Sequence, residues 1–301
     1  MHKLILIGLM FLQMAFAQDA SNQIVMVEGD SFRIPDTQEI EFVPLKKFDY
    51  AGLPKKLNLR KFQSQIKSQG QRGSCTYFVF TSLVESLMKK QMTKEVDLSE
   101  EYLAWSGKVQ KKLRILDEGS SVAVNAATFQ EYGYMLEADM PYQPSWFDKG
   151  YPCEGQRDAV NIDPICFSHA GPKSDQPIYK DERFVFEAVD SSSLDLVRAL
   201  DRYRSPVTVS LIGHSEMWDQ SKMTGDFFLS EKHKKECQEN RKLCGGHAVL
   251  AIGYDLDKRI VYIKNSWGEE WGQKGFGTIS FDYLDQMSDR KLLTGFIRKL
   301  K

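Results

Sequence analysis

The sequence predicts an α+β protein, with helices in its first part, β-strands in its second and a cleft between them. Three observations carry this. Helical patterns with capping residues dominate up to about residue 190. Runs rich in β-branched residues dominate after it. The two kinds of element are segregated rather than alternating, which marks α+β over α/β. The 301 residues suffice for one large domain or two lobes, and no internal repeat or low-complexity tract is present. Hydrophobic residues at 42% and charged residues at 27% are ordinary for a globular chain. A net charge of -1 argues against a general binder of nucleic acid or anionic membranes.

The chain opens MHKLILIGLMFLQMAFAQDA. Lys3 supplies a basic start, Leu4 to Met14 is nearly all apolar, and Ala15-Phe16-Ala17 is an A-x-A cleavage signal. Residues 1–17 therefore read as a secretory signal peptide, too short for a membrane span. The expected destination is the periplasm or the exterior. Residues 18–52 are polar and without clear period, and read as an N-terminal extension or short pro-segment. From Leu53 the pattern is regular. Cys75 to Lys90 reads as a buried helix, with Ser74 as N-cap and Lys89-Lys90 at its C-terminal end. Ser99 caps a second helix, and Ser121 to Tyr132 forms a third that ends before Gly133. Residues 143–180 read as a long loop-rich connection, and a further helix starts near Ser191. The strands follow: Pro206 to Ile212, His247 to Asp255, Arg259 to Trp267 and Gly277 to Phe281.

Five cysteines in an exported chain leave one unpaired. Cys153 with Cys166 and Cys237 with Cys244 form two local couples, and Cys75 stands apart. Local pairing is the simplest of three possible connectivities. Zinc is disfavoured, since no C-x-x-C occurs and His169 is poorly spaced; no metal or cofactor is expected. A cysteine at a helix start can be a nucleophile if its thiolate is stabilised. The base must be histidine. His169 and His233 lie in polar, loop-like stretches and His214 follows a strand, whereas His247 begins a strand after two glycines. Asn265, at the end of the next strand, can accept the imidazole N–H, and Trp267 can shield that bond. Gln69 and the Cys75 backbone N–H are the candidate oxyanion donors.

Gln69-Gly70, Gly73-Ser74-Cys75, Gly245-Gly246-His247-Ala248-Val249 and Asn265-Ser266-Trp267-Gly268, with Trp271-Gly272, resemble the papain-like cysteine peptidases in that family's order. The flavour is bacterial rather than lysosomal, and the resemblance runs from about Leu53 to the C-terminus. It implies a two-lobe fold over residues 53–301, with a helical lobe to about 190, a β-barrel-like lobe after it and the site in the cleft. It also implies endopeptidase action on an extended protein or peptide substrate through a thioester acyl-enzyme. By motif, Cys75 is nucleophile, His247 base then acid, Asn265 orienter and Gln69 oxyanion donor. Gly119-Ser120 corresponds to backbone that pairs with the substrate. A silent, peptide-binding relative is the alternative.

Two departures stand out. Arg72 and Thr76 replace a cysteine and an aromatic residue of the family's local signature. The usual partner of that cysteine is missing too, so Arg72 is expected to pair with Asp117 or Glu118 where the family has a disulfide. The stretch from Cys75 to His247 is also longer than the family's roughly 130–150 residues. Glu231 to Cys244 takes part of the excess, read as a solvated, disulfide-stapled loop.

Overall fold

The computed structural model describes residues 26–27, 31–33, 47–112, 118–145, 153–155, 171–286 and 292–299. The first part holds β1 (Met26–Val27), β2 (Ser31–Arg33), β3 (Lys56–Asn58), α1 (Cys75–Met92), α2 (Glu100–Trp105) and α3 (Val122–Tyr132). Then come β4 (Phe184–Val189), α4 (Ser193–Tyr203), β5 (Val207–His214), α5 (Ser215–Thr224), β6 (Asp226–Phe227) and α6 (Glu231–Glu239). β7 (Cys244–Asp255), β8 (Ile260–Lys264), β9 (Phe276–Ser280), α7 (Phe281–Gln286) and β10 (Leu292–Ile297) complete the order. The predicted leader, residues 1–17, lies outside the described residues.

The sequence explains most helix ends. α1 is buried at every position from Cys75 to Met88, so apolar residues occur on all its faces, with Thr81, Ser82, Glu85 and Ser86 buried among them. Lys89 and Lys90 occupy its last turn, where the helix dipole favours cations. Ser74 does not cap α1 with its side chain; its hydroxyl pairs with that of Tyr142 at 2.5 Å. Ser99, Ser121 and Ser192 do cap, accepting the backbone N–H of Tyr102, Val124 and Asp195 at the starts of α2, α3 and α4. Gly133 ends α3 at φ 79°, where a Cβ would lie 2.1 Å from the Tyr179 carbonyl oxygen.

The described strands form one sheet in the order β4-β10-β5-β7-β8-β9-β6. Among the described residues this β-rich part is an open sheet and does not close into a barrel. Its two terminal strands, β4 and β6, each have one partner, so no pairing closes the ring. β4 lies before residue 190, so the sheet also draws on the stretch expected to be helical. β7 is the spine. β5 pairs with it from Cys244 to Ala251 and β8 from Leu250 to Asp255. β3 pairs with its far end at Gly253–Asp255, and β2 pairs with its start at Gly245–Gly246. α1 and α4 both pack against β7, so it is buried along nearly its whole length and reads as a continuous apolar run. Glu231 to Cys244 is not a solvated loop. It forms α6 and a short 3-10 turn, with His233, Lys234 and Cys237 buried. Among the described residues no helix is long and apolar enough to cross a membrane.

Phe80, fully buried in α1, packs against Phe129 and Phe186. Phe80→Ala should cost about 3–5 kcal/mol of stability, read as a lowered denaturant midpoint.

Candidate active site

Two distant backbone segments meet beside the start of α1. The Gln69 N–H donates to the Ser266 carbonyl at 2.9 Å, and the Gly268 N–H donates to the Lys67 carbonyl at 3.1 Å. Ser68 and Trp267 face each other between these bonds as an antiparallel bridge. Side chains reinforce the junction. The Ser266 hydroxyl donates to Gln69 Oε1 at 2.7 Å, and Gln69 Nε2 donates to the Arg72 carbonyl at 2.8 Å. These two bonds fix the amide's orientation. An amide nitrogen carries two hydrogens, so one remains to donate elsewhere.

Cys75 is the first residue of α1 and is fully buried. His247 is the fourth residue of β7, opposite Leu211 of β5. Asn265 follows the last residue of β8. Its Oδ1 accepts the Ser266 N–H at 2.8 Å and lies 2.8 Å from His247 Nε2. That oxygen can only accept, so Nε2 carries the ring hydrogen. Nδ1 has no hydrogen-bond partner and is the ring's basic atom. Trp267 stacks on the imidazole at 4.4 Å and 26°. Trp218 of α5 meets the same ring edge-on at 5.7 Å. Burial pushes the His247 pKa down to about 4, with the Asn265 hydrogen bond acting against it. Gly119 and Ser120 lie just before α3. The Lys108 ammonium is 3.5 Å from the Gly119 carbonyl, and the Ser120 hydroxyl bonds Asn125 Oδ1 at 2.6 Å.

Residues 53–288 match Peptidase_C1, the papain family cysteine proteases. The chain belongs to this family. It is 28% identical over 221 residues to the viral cathepsin of Heliothis zea nuclear polyhedrosis virus, covering 70% of this chain and 47% of that protein. To cathepsin L2 of Homo sapiens it is 26% identical over 242 residues, covering 77% and 62%. The chain thus spans between about half and under two thirds of these relatives. In fold it is similar to xylellain, a cysteine protease from Xylella fastidiosa, with a TM-score of 0.65, 18% identity, and 93% and 100% of the two chains covered. A recombinant stem bromelain precursor matches with a TM-score of 0.57, 19% identity, and 87% and 78% covered.

Where the papain family has a cysteine, Arg72 is buried, not exposed as a weak surface pair would be. Its Nε donates to Glu118, the expected partner. Nη1 donates to Glu101 at 2.5 Å and to the Gln143 carbonyl at 2.7 Å, and the guanidinium lies 4.6 Å from the Tyr142 ring centre. Asp117, the other expected partner, lies outside the described residues. Cys237 and Cys244 form a disulfide, as local pairing predicts. Cys153 is disulfide-bonded, while Cys166 lies outside the described residues. His233 sits on α6, not in a loop, and its ring stacks on His214 at 4.7 Å and 4°. With Glu216 these rings bring three metal-ligand atoms within 4.8 Å. Parallel rings cannot both aim an in-plane lone pair at one ion, and the Lys232 ammonium already pairs with Glu216 at 3.2 Å.

Ser266 stands within a quoted motif, but its hold on the Gln69 amide has no local sign, and neither Trp218 nor Tyr142 is assigned a role from sequence. The sequence reading also misses a buried charge network that flanks the junction. Lys67 pairs with Glu85 at 3.0 Å, Asp97 at 2.6 Å and Glu100 at 2.9 Å. Lys264 donates to the Ser64 hydroxyl at 2.8 Å, which in turn bonds Glu85. Charges inside apolar runs, Glu85 in α1 and Lys264 in β8, are the signal that could have found it. Burial raises the Glu100 pKa to about 7, with Lys67 lowering it and Glu85 raising it. Burial lowers that of Lys264 to about 8.

A carboxyl with a raised folded pKa binds more protons folded than unfolded between the two values. Its contribution to stability therefore falls as pH rises from about 4.5 to 7. The stability difference between wild type and Glu100→Gln, followed by thermal midpoint, should shift against the wild type across that window; a flat difference would contradict it.

Proposed function

We propose that this chain is an exported cysteine peptidase that hydrolyses peptide bonds in an extended substrate at Cys75. The single observation that carries this is the His247–Asn265 hydrogen bond. It commits Nε2 to Asn265 and leaves Nδ1 as the base. His247 Nδ1 takes the Cys75 proton, and the thiolate sulfur attacks the substrate carbonyl carbon. The Cys75 backbone N–H and the uncommitted Gln69 N–H stabilise the oxyanion. The imidazolium returns its proton to the leaving amine, giving a thioester. Water, deprotonated by the same Nδ1, then hydrolyses it and restores the thiol. Burial alone keeps His247 neutral, but the thiolate and the imidazolium stabilise each other and the helix dipole favours the anion. Gly119 and Ser120 supply backbone for the substrate to pair with.

The leader pattern at residues 1–17 and the disulfides support export. Residues 53–301 form the peptidase part, with the preceding extension as a cover. β2 lies on Gly245–Gly246, directly before His247, and Cys75 is fully buried.

The test is labelling of the chain with an epoxide-type cysteine-protease inhibitor, read by intact mass and peptide mapping. One adduct on Cys75, lost in His247→Ala, is expected; labelling elsewhere, or none under any condition, would sink the reading. Cys75→Ala should abolish peptide turnover, and Asn265→Ala should lower kcat by about 10²-fold. Phe32→Pro removes a ladder N–H from β2 and should speed labelling; an unchanged rate would show that the extension is no cover.

A further inference from the structure

We infer that Arg72 is the positioning residue of the oxyanion site, an ionic clamp that holds the Gln69–Cys75 turn by its buried guanidinium. This rests on the reading of Cys75 as nucleophile and Gln69 as oxyanion donor.

The turn has to hold two donors in one place: the Gln69 side-chain amide and the Cys75 backbone N–H. Arg72 lies between them in sequence and acts on both. Its carbonyl accepts from Gln69 Nε2 at 2.8 Å, and its own N–H approaches the Gln69 carbonyl at 3.4 Å. Moving the Arg72 backbone therefore turns the Gln69 amide. The side chain prevents that movement. It gathers Glu101 of α2, Glu118 ahead of α3 and the Gln143 carbonyl around one planar cation. A guanidinium can do this because its five donors fan out in one rigid plane. The partners are tied back to the same turn. Glu118 Oε2 accepts the Gly73 N–H at 2.8 Å. The Tyr142 ring lies against the guanidinium, and its hydroxyl donates to the Gln69 carbonyl at 2.8 Å. Glu101 also accepts the Gln143 N–H at 3.1 Å.

Arginine and both carboxylates are at most 2% exposed. Removing the cation would leave two uncompensated buried carboxylates, which is strongly unfavourable. They would repel, protonate or draw in water, and the turn would lose its anchor. The clamp differs from a disulfide at this position in one useful respect. A peptidase that needs a reduced thiol would risk a disulfide beside it under the same reductant, whereas an ion pair is indifferent to thiols.

The test compares peptide turnover with alkylation of Cys75 by iodoacetamide in the full chain. Alkylation needs the thiolate but no oxyanion donors. Arg72→Met should lower kcat by about 10²-fold, with KM within about threefold and the alkylation rate within about twofold. An unchanged kcat, or an equal fall in alkylation, would overturn the proposal. A second variant covers the case in which Arg72→Met fails to fold. Arg72→Met with Glu101→Gln and Glu118→Gln removes the clamp and leaves no buried charge unpaired. It should keep the wild-type thermal midpoint and an alkylation rate within about twofold, while kcat falls by about 10²-fold. A triple variant with both the wild-type midpoint and the wild-type kcat would also overturn the proposal. Absence of both turnover and alkylation in wild type would instead remove the peptidase reading on which it stands.

Discussion

The backbone junction of Lys67–Gln69 with Ser266–Gly268 is the constraint on which the site depends. It lies between segments almost two hundred residues apart in sequence. One side leads within six residues into α1 and Cys75; the other leaves β8 through Asn265. The pairing sets the relative height of the two chains. Each functional group then follows from local structure. A helix start presents Cys75, a strand buried by α1 and α4 fixes His247, and a turn after β8 brings Asn265 and Trp267 onto the imidazole.

Aromatic rings pack around Trp267, and two clusters of buried charge flank the junction. On one side Lys67 and Lys264 share Glu85, Glu100 and Ser64. On the other Arg72 gathers Glu101 and Glu118. Buried ion pairs are a poor source of net stability, because desolvation offsets much of their attraction. Their value here is geometric. Each has one arrangement that satisfies its donors, and any slip of the turn or of the β8 exit leaves a buried charge without its partner. Apolar side chains in the same volume would tolerate small slips.

The residues of the candidate site were legible because that site draws on local signals. A cysteine at a helix start, a histidine opening an apolar strand and an asparagine ending the next one each stand in a recognisable context. α1, α3 and the spine strand β7 were legible for the same reason: buried length and period are local properties. Long-range pairing was not. Nothing near Gln69 indicates that Ser266 will hold its amide, and nothing near Glu101 indicates that α2 will turn it toward Arg72. α6 was misread because a nine-residue helix with charges on most faces shows no apolar stripe; its buried side is His233, Lys234 and Cys237. The sheet's openness was hidden too, since strand order depends on pairings such as β10 with β4 that no local pattern encodes.

The proposed mechanism requires Cys75 to be held as a thiolate by its surroundings. The rate of its alkylation by iodoacetamide, followed against pH in the full chain, tests this most directly. An inflection well below the free-cysteine value of about 8.5 is the predicted result. An inflection at or above that value would be that of an ordinary buried thiol, and would contradict the account.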